Sequence, residues 1–161
     1  MEDTWLWRTG EPADPSPVVV FDMDGVLTDS AHRQHLLEDD TTDWDAFFAA
    51  CDGDAEIAEW CQILRVVDPA VGVVLLTSRP VAVRPQTLAW LERTGVRWDL
   101  LIMRRSRDEM DSRTFKKGEA QRLLETGFDI RVVFDDDRRN IDAFHELGLT
   151  AVYVHSGYYP P

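Results

Sequence analysis

The sequence contains few cysteines and no long apolar run, and both absences narrow the class of protein. Its two cysteines, Cys51 and Cys61, form no C-x-x-C pair and lack paired histidines nearby, so they predict neither a zinc site nor a disulfide framework. We expect buried, reduced thiols. No apolar run approaches the ~20 residues that span a bilayer, and the acidic start of the chain lacks the pattern of a signal peptide. These features predict a soluble, cytoplasmic protein with no membrane partner.

Basic residues are also few. Seventeen Lys and Arg residues stand against 30 Asp and Glu, which gives a formal net charge of −13 at pH 7. A surface of this charge repels polyanions, so indiscriminate coating of DNA or RNA is disfavoured, although one basic patch around a site is compatible with it. Hydrophobic residues make up 44% of the 161 residues, which is enough for the core of one domain.

Apolar runs of strand length alternate with longer helical patterns. Three prolines within 12–17 disfavour helix and internal strand, so residues 1–17 are predicted to be an extended lead-in to a domain at 18–161. The predicted strands are 18–21, 72–76, 100–102, 130–134 and 151–154, and the predicted helices include 84–93, 115–125 and 140–147. This alternation indicates an α/β, Rossmann-like fold with a parallel five-stranded sheet flanked by helices. Ligand sites in such sheets lie at the carboxyl ends of the strands.

Residues 31–67 interrupt the alternation. No convincing strand occurs there, and helical patterns around 32–37, 44–50 and 55–67 are separated by short acidic segments. We expect a small helical insert over the strand ends. Its aromatic residues Trp44, Phe47 and Phe48 are interpreted as the core of the insert, with nucleobase stacking as the alternative.

Polar and charged side chains follow the predicted strands. Asp22 and Asp24 come directly after the first strand, Thr77 ends the second, and residues 135–137 are three aspartates at the end of the fourth. Two carboxylates ~5 Å apart repel by ~3 kcal/mol at an effective dielectric constant near 20, so a cluster of them requires a cation. Hard oxygen ligands in a site open to water suit Mg²⁺.

With Mg²⁺ in place, the pattern indicates phosphoryl transfer. One carboxylate can act as a nucleophile that forms an aspartyl-phosphate, and a second carboxylate two residues later can protonate the leaving oxygen and activate water. The Thr77 hydroxyl and one ammonium group, from Lys116 or Lys117, can hold the transferring oxygens. Gly25 would let the backbone approach a phosphate closely.

These residues resemble the four motifs of the haloacid dehalogenase superfamily of phosphatases. The segment VVVFDMDGVLT at 18–28 is similar to the first motif, and Thr77, a lysine and the acidic run at 135–137 match the other three in order. A narrower resemblance is to the phosphatase domain of polynucleotide kinase 3′-phosphatases. It rests on AHRQHL at 31–36, DWDAFF at 43–48, TSRP at 77–80 and WDLLIMR at 98–104.

The resemblance implies catalytic roles for individual residues. Asp22 would be the nucleophile, Asp24 the general acid/base, and Thr77 a phosphate ligand. Because Lys116 and Lys117 are adjacent, only one of them can face the site, and the spacing to Glu119 favours Lys117 as the residue that stabilises charge.

The resemblance also implies binding residues. The expected ligands of Mg²⁺ are Asp22, Asp24, Asp135 and Asp136, although the acidic run has a third aspartate, Asp137, where the family pattern has an arginine. The expected substrate-binding residues are Gly25, Ser78, Arg79, Arg104 and Arg113. The last two belong to the segment 104–117, whose six basic and three acidic residues could hold a phosphodiester chain. A solvated loop of mixed charge is the alternative.

The leading hypothesis is a Mg²⁺-dependent phosphomonoesterase that removes 3′-phosphates from polynucleotide ends. A mononucleotide or small-molecule phosphatase is the alternative. A phospho-acceptor signalling domain is a third candidate, and the second aspartate of the D-x-D pair argues against it because that residue would hydrolyse the phospho-aspartate. The sequence has no G-x-x-x-x-G-K-[ST] motif, so no kinase activity is expected, and a separate kinase is a candidate partner.

Overall fold

The structure is a computed structural model that describes residues 2–38, 40 and 42–160. Its strands are β1 (Trp5–Trp7), β2 (Pro17–Phe21), β3 (Thr28–Asp29), β4 (Ala55–Glu56), β5 (Gly72–Pro80), β6 (Leu100–Arg104), β7 (Asp129–Asp135) and β8 (Ala151–Tyr153). Its α-helices are α1 (Trp44–Ala49), α2 (Ala58–Arg65), α3 (Arg84–Thr94), α4 (Ser112–Glu125) and α5 (Arg138–Glu146). No helix among the described residues has the length and apolar character needed to cross a membrane.

The main sheet confirms the predicted α/β class. Its strand order is β1-β6-β5-β2-β7-β8, and every neighbouring pair is parallel except β1 with β6. The apolar run of β2 is buried on both faces: Val18 and Val20 pack into one core cluster, whereas Val19 and Phe21 pack into the other. A strand with no polar face is typical of a parallel sheet that helices cover on both sides.

The sheet has six strands, not the predicted five, because the lead-in contributes β1. Residues Trp5 and Trp7 pair in antiparallel register with Ile102 and Leu100 at the edge of the sheet. The Trp7 ring also stacks on Phe128, with ring centroids 6.0 Å apart. A three-residue strand followed by a proline-rich segment has too little periodicity to be recognised in the sequence.

The segment 31–67 is mainly helical, and its described residues include α1, α2 and the short 3-10 helices Ala31–Leu37 and Cys51–Gly53. The expectation that it holds no strand is wrong at Ala55–Glu56, which pairs with Thr28–Asp29 as a second, two-stranded sheet. This pairing connects the residues that follow the 3-10 helix Cys51–Gly53 to the residues that follow the loop after β2. Cys51 and Cys61 are buried free thiols, as predicted.

Candidate active site

Three buried carboxylates meet at the carboxyl ends of two neighbouring strands. Phe21 of β2 lies opposite Phe134 of β7, so the next residues, Asp22 and Asp135, emerge side by side. Together with Asp136 they each offer one oxygen, and these oxygens lie within 4.8 Å of one another. Burial raises the pKa of Asp136 to about 7, and neighbouring carboxylates add to this effect. The pKa of Asp22 is likewise raised, first by burial.

Lys116, and not Lys117, lies at this cluster. The Lys116 ammonium is buried, 2.9 Å from Asp22 Oδ2 and 2.6 Å from Asp135 Oδ2. Burial lowers its pKa, but the two carboxylates outweigh burial and raise the pKa above its ordinary value. The choice of Lys117 is corrected on position: its ammonium forms a partly exposed ion pair with Glu146, at 2.5 Å. Adjacent helical residues differ by about 100° in direction, so both cannot face the cluster.

The carboxylate cluster has the oxygen chemistry that fits a divalent cation. Asp135 Oδ1 accepts hydrogen bonds from the Asp137 backbone N–H (2.9 Å) and from Asn140 Nδ2 (3.0 Å), and its other oxygen contacts Lys116. In contrast, Asp136 Oδ2 is buried and has no hydrogen-bond partner among the described residues. Mg²⁺ binds through one or two carboxylates and keeps several waters, so Asp136 and Asp22 would hold the ion.

Gly25 leaves room for the Asp136 carboxylate. It has a φ of +82°, and a Cβ atom added there would lie 2.1 Å from Asp136 Oδ2. We therefore predict that Gly25→Ala weakens Mg²⁺ binding at least about tenfold, because the methyl group displaces a ligand. The matched control is Gly10→Ala, since Gly10 has a φ of +81° and nothing within 4 Å of the added Cβ. Titration calorimetry of both variants with MgCl₂ checks the prediction; equal affinities would contradict it.

The Asp24 side chain is turned to two buried arginines instead of to the carboxylate cluster. Arg79 forms a fork with it, Nη2 to Oδ1 at 2.8 Å and Nε to Oδ2 at 3.0 Å, and Arg33 Nη2 donates to Oδ1 as well. Burial raises the pKa of Asp24, but the guanidiniums of Arg79 and Arg33 outweigh it and hold the pKa well below its ordinary value. The Asp24 carboxylate, expected among the metal ligands, thus lies outside the cluster formed by Asp22, Asp135 and Asp136.

Sequence analysis missed Arg33 and Asp54 as site residues. Asp54 is fully buried and accepts from Arg33 Nε at 2.8 Å and from Arg79 Nη2 at 3.2 Å, so two carboxylates balance two guanidiniums. Arg33 occurs in a segment that supported the family resemblance, but nothing in its pattern indicated complete burial. Asp54 lies in a short acidic segment whose pattern indicates only a boundary between helices.

Of three consecutive residues near the end of β5, one lines the cleft around the cluster and two are buried. Ser78 lines the cleft, and its hydroxyl lies 2.8 Å from the Ser112 hydroxyl. Thr77 is completely buried, and its Oγ1 accepts the backbone N–H of Arg79 at 3.2 Å. Arg79 is also buried, so its guanidinium supports Asp24 and is not exposed to substrate.

The cluster of Asp22, Asp136 and Lys116 forms one wall of an open cleft of about 740 Å³. Its other walls are an aromatic group (Trp44, Phe47, Phe48, Tyr158, Tyr159) and a polar group that includes Ser30, Gln34, Arg104, Ser112 and Arg139.

The basic segment 104–117 does not form one continuous patch. Arg104 lines the cleft, and Lys116 belongs to the carboxylate cluster. Arg113 is instead 2.5 Å from Glu146, which also neutralises Lys117. Glu146 lies on α5, 29 residues or more from either cation, so a charge count over the segment alone could not include it.

A family model described as the phosphatase domain of the polynucleotide kinase PNKP matches residues 16–159. The chain belongs to this family. As a PNKP phosphatase domain it is a haloacid dehalogenase phosphatase, a class of phosphoric monoester hydrolase whose members generally use Mg²⁺. None of the curated protein sequences compared with the chain matches it significantly.

Solved structures share the fold of this PNKP phosphatase domain. A chain in the structure of a Pnkp1/Rnl/Hen1 complex has a TM-score of 0.75 and 23% identity over 89% of this chain and 47% of its own length. A second structure, of the Pnkp1/Rnl/Hen1 RNA repair complex, has a TM-score of 0.74 at 23% identity, with 91% and 46% covered. The domain thus spans about half the length of those chains. The class C acid phosphatase from Bacillus anthracis has a TM-score of 0.60 at 13% identity, with 89% and 69% covered.

Proposed function

We propose that this PNKP phosphatase domain is a Mg²⁺-dependent phosphomonoesterase that works through an aspartyl-phosphate and removes 3′-phosphates from polynucleotide ends. The observation that carries the proposal is the meeting of Asp22, Asp136 and the Lys116 ammonium at one edge of an open cleft. Mg²⁺ held by Asp22 and Asp136 would neutralise the charge of the phosphate and of the carboxylates around it.

In the first half of the reaction, an oxygen of the Asp22 carboxylate attacks phosphorus, and the bond from phosphorus to the nucleoside oxygen breaks. The leaving oxygen takes a proton from Asp24 and departs as an alcohol. Lys116, 2.9 Å from Asp22 Oδ2, is close enough to stabilise the negative charge on the transferring oxygens.

In the second half, a water molecule attacks phosphorus and gives its proton to Asp24. The bond from phosphorus to the Asp22 oxygen breaks, inorganic phosphate leaves, and the Asp22 carboxylate is restored. Asp24 regains the proton that it gave away, so the cycle balances.

The contacts of Asp24 constrain this role. Two guanidiniums stabilise its ionised form, and an ionised carboxylate has no proton to donate. The acid step therefore requires Asp24 to part from Arg33 or from Arg79 when the substrate is bound. Asp54, which accepts from both arginines, would retain them in place during that change.

The proposed substrate is a phosphorylated nucleic-acid end. Membership of the PNKP phosphatase family supports it, as does the similarity of fold to a chain of the Pnkp1/Rnl/Hen1 RNA repair complex. A kinase is a proposed partner, and the description of the family as the phosphatase domain of a polynucleotide kinase supports it.

The second candidate is a mononucleotide phosphatase. The formal charge of −13 and the pairing of Glu146 with Arg113 and Lys117 favour it, because both reduce the positive surface that a long phosphodiester chain requires. The two candidates share the same chemistry and differ only in how far the substrate extends from the cleft.

The test compares Mg²⁺-dependent phosphate release from an oligonucleotide with a 3′-phosphate and from the matching nucleoside 3′-monophosphate. We predict a kcat/KM at least tenfold higher for the oligonucleotide, which corresponds to about 1.4 kcal/mol of additional transition-state binding. Chelation of Mg²⁺ with EDTA is expected to abolish both reactions, and excess Mg²⁺ to restore them.

An oligonucleotide with a 5′-phosphate is the control for the position of the phosphate. A preference for the mononucleotide would retain the phosphatase and overturn the polynucleotide substrate. Equal release from 3′- and 5′-phosphates would overturn the specificity for 3′ ends.

A further inference from the structure

Trp44 is exposed within the cleft, although the sequence pattern predicts that it belongs to the core of the insert. It is 53% exposed, whereas Phe47 and Phe48 on the same helix are 5% and 9% exposed. All three line the cleft that contains Asp22 and Lys116. A large aromatic ring left half in water inside a concave site requires an explanation other than core packing.

The Trp44 ring packs against two other aromatic rings of the same helix. It stacks on Phe48, with centroids 5.8 Å apart and planes at 28°, and contacts the edge of Phe47 at 5.7 Å. Trp44 is the first residue of α1, and the Asp43 side chain caps that helix by accepting from the Ala46 N–H at 2.9 Å. An aromatic side chain fixed in this way can bind a flat ligand at little cost in conformational entropy.

The aromatic group is connected to the Asp24 carboxylate through the Arg33 guanidinium. The Arg33 guanidinium lies 4.1 Å from the centroid of the Phe47 ring, and the same guanidinium donates to Asp24. A chain of contacts thus leads from Trp44 through Phe47 and Arg33 to Asp24, and Trp44, Phe47 and Asp24 line the same cleft.

The charges around Trp44 favour an uncharged ring over a phosphate. Asp43 and Asp45 are exposed on either side of it, and carboxylates repel a phosphodiester backbone. A nucleobase is flat and neutral, and stacking on an aromatic side chain tolerates any base.

We propose that Trp44 stacks on the base of the terminal nucleotide, the one that carries the phosphate to be removed. This inference rests on the proposed function, and it assigns substrate recognition to one nucleoside at the end of the chain. Trp44 binds substrate and takes no part in bond breaking.

The experiment measures kcat and KM for two oligonucleotides with a 3′-phosphate, one with a normal terminal nucleotide and one whose terminal sugar lacks a base. Loss of a base stack costs roughly tenfold to a hundredfold. We expect Trp44→Ala to lower kcat/KM about tenfold or more for the normal substrate, mainly through KM, and to leave the abasic substrate within about twofold. Trp44→Phe is expected to retain most of the preference, since it keeps an aromatic ring.

Two controls distinguish failure of the stacking role from failure of the proposed function. Ile63→Ala removes an apolar side chain that is 42% exposed on α2, outside the cleft, and is expected to change neither substrate. Acetyl phosphate has no ring, so Trp44→Ala is expected to hydrolyse it at the wild-type rate. Equal losses on the normal and abasic substrates would overturn the stacking role and leave the proposed function standing. If the wild-type protein hydrolysed acetyl phosphate but released no phosphate from either oligonucleotide, both the stacking role and the proposed function would be overturned.

Discussion

Asp22→Asn is expected to abolish phosphate release while the protein stays folded. The side chain keeps its size and its hydrogen-bonding oxygen, but the amide is not a nucleophile, so the covalent step is lost. We expect kcat to fall on the order of 10³-fold or more, as for other enzymes that lose their nucleophile. The measurement is Mg²⁺-dependent release from the 3′-phosphorylated oligonucleotide, together with the circular dichroism spectrum and the thermal unfolding midpoint.

The structure also predicts that this variant is not destabilised by the loss of charge. Asp22 is buried beside Asp135 and Asp136, so removal of one negative charge relieves repulsion and offsets the weaker attraction to the Lys116 ammonium. Asp142→Asn is the matched control, because it makes the same change at an exposed position on α5. Acid quenching should trap labelled phosphate on the wild-type protein and on the control, but not on Asp22→Asn. Turnover by Asp22→Asn near the wild-type rate would show that another group is the nucleophile.

The fold could be predicted largely from the sequence because its central strands are mostly apolar, with Arg131 as the exception in the run at 130–134. The runs at 18–21 and 130–134 occur within β2 and β7, and helices alternate with strands as expected. Strand β1 could not be predicted, since its three residues gain their stability from pairing with Leu100 and Ile102, which are about 95 residues away in the chain. Local pattern contains no information about such a pairing.

The site was predictable where a residue's position depends on its own strand. Asp22 and Asp135 follow strands directly, so the topology brings them together. Arg33 and Glu146 could not be assigned in this way: the first depends on how the insert folds back over Asp24, and the second on the packing of α5 beside α4. Long-range packing, rather than local pattern, decides which charges are paired.

The second large effect is expected on kcat, when one of the two adjacent lysines of α4 is substituted. Lys116→Met is expected to lower kcat at least about 10²-fold, because the buried cation that contacts Asp22 and Asp135 is lost. Lys117→Met removes the same group one position along the helix, where it only pairs with Glu146 near the surface, and is expected to stay within about twofold of wild type. Phosphate release from the same 3′-phosphorylated oligonucleotide measures both variants.

The two lysine variants should also differ in their free energy of unfolding. Without Lys116, the buried carboxylates of Asp22 and Asp135 lose their counterion, which costs about 3–5 kcal/mol of unfolding free energy. Loss of the Lys117 pair costs at most about 1 kcal/mol. Added Mg²⁺ should recover more stability in Lys116→Met than in Lys117→Met, because the ion supplies the missing positive charge to the same carboxylates. Urea unfolding with and without MgCl₂ measures the difference. A larger loss of activity and stability in Lys117→Met would mean that the helix presents the other lysine to the carboxylates.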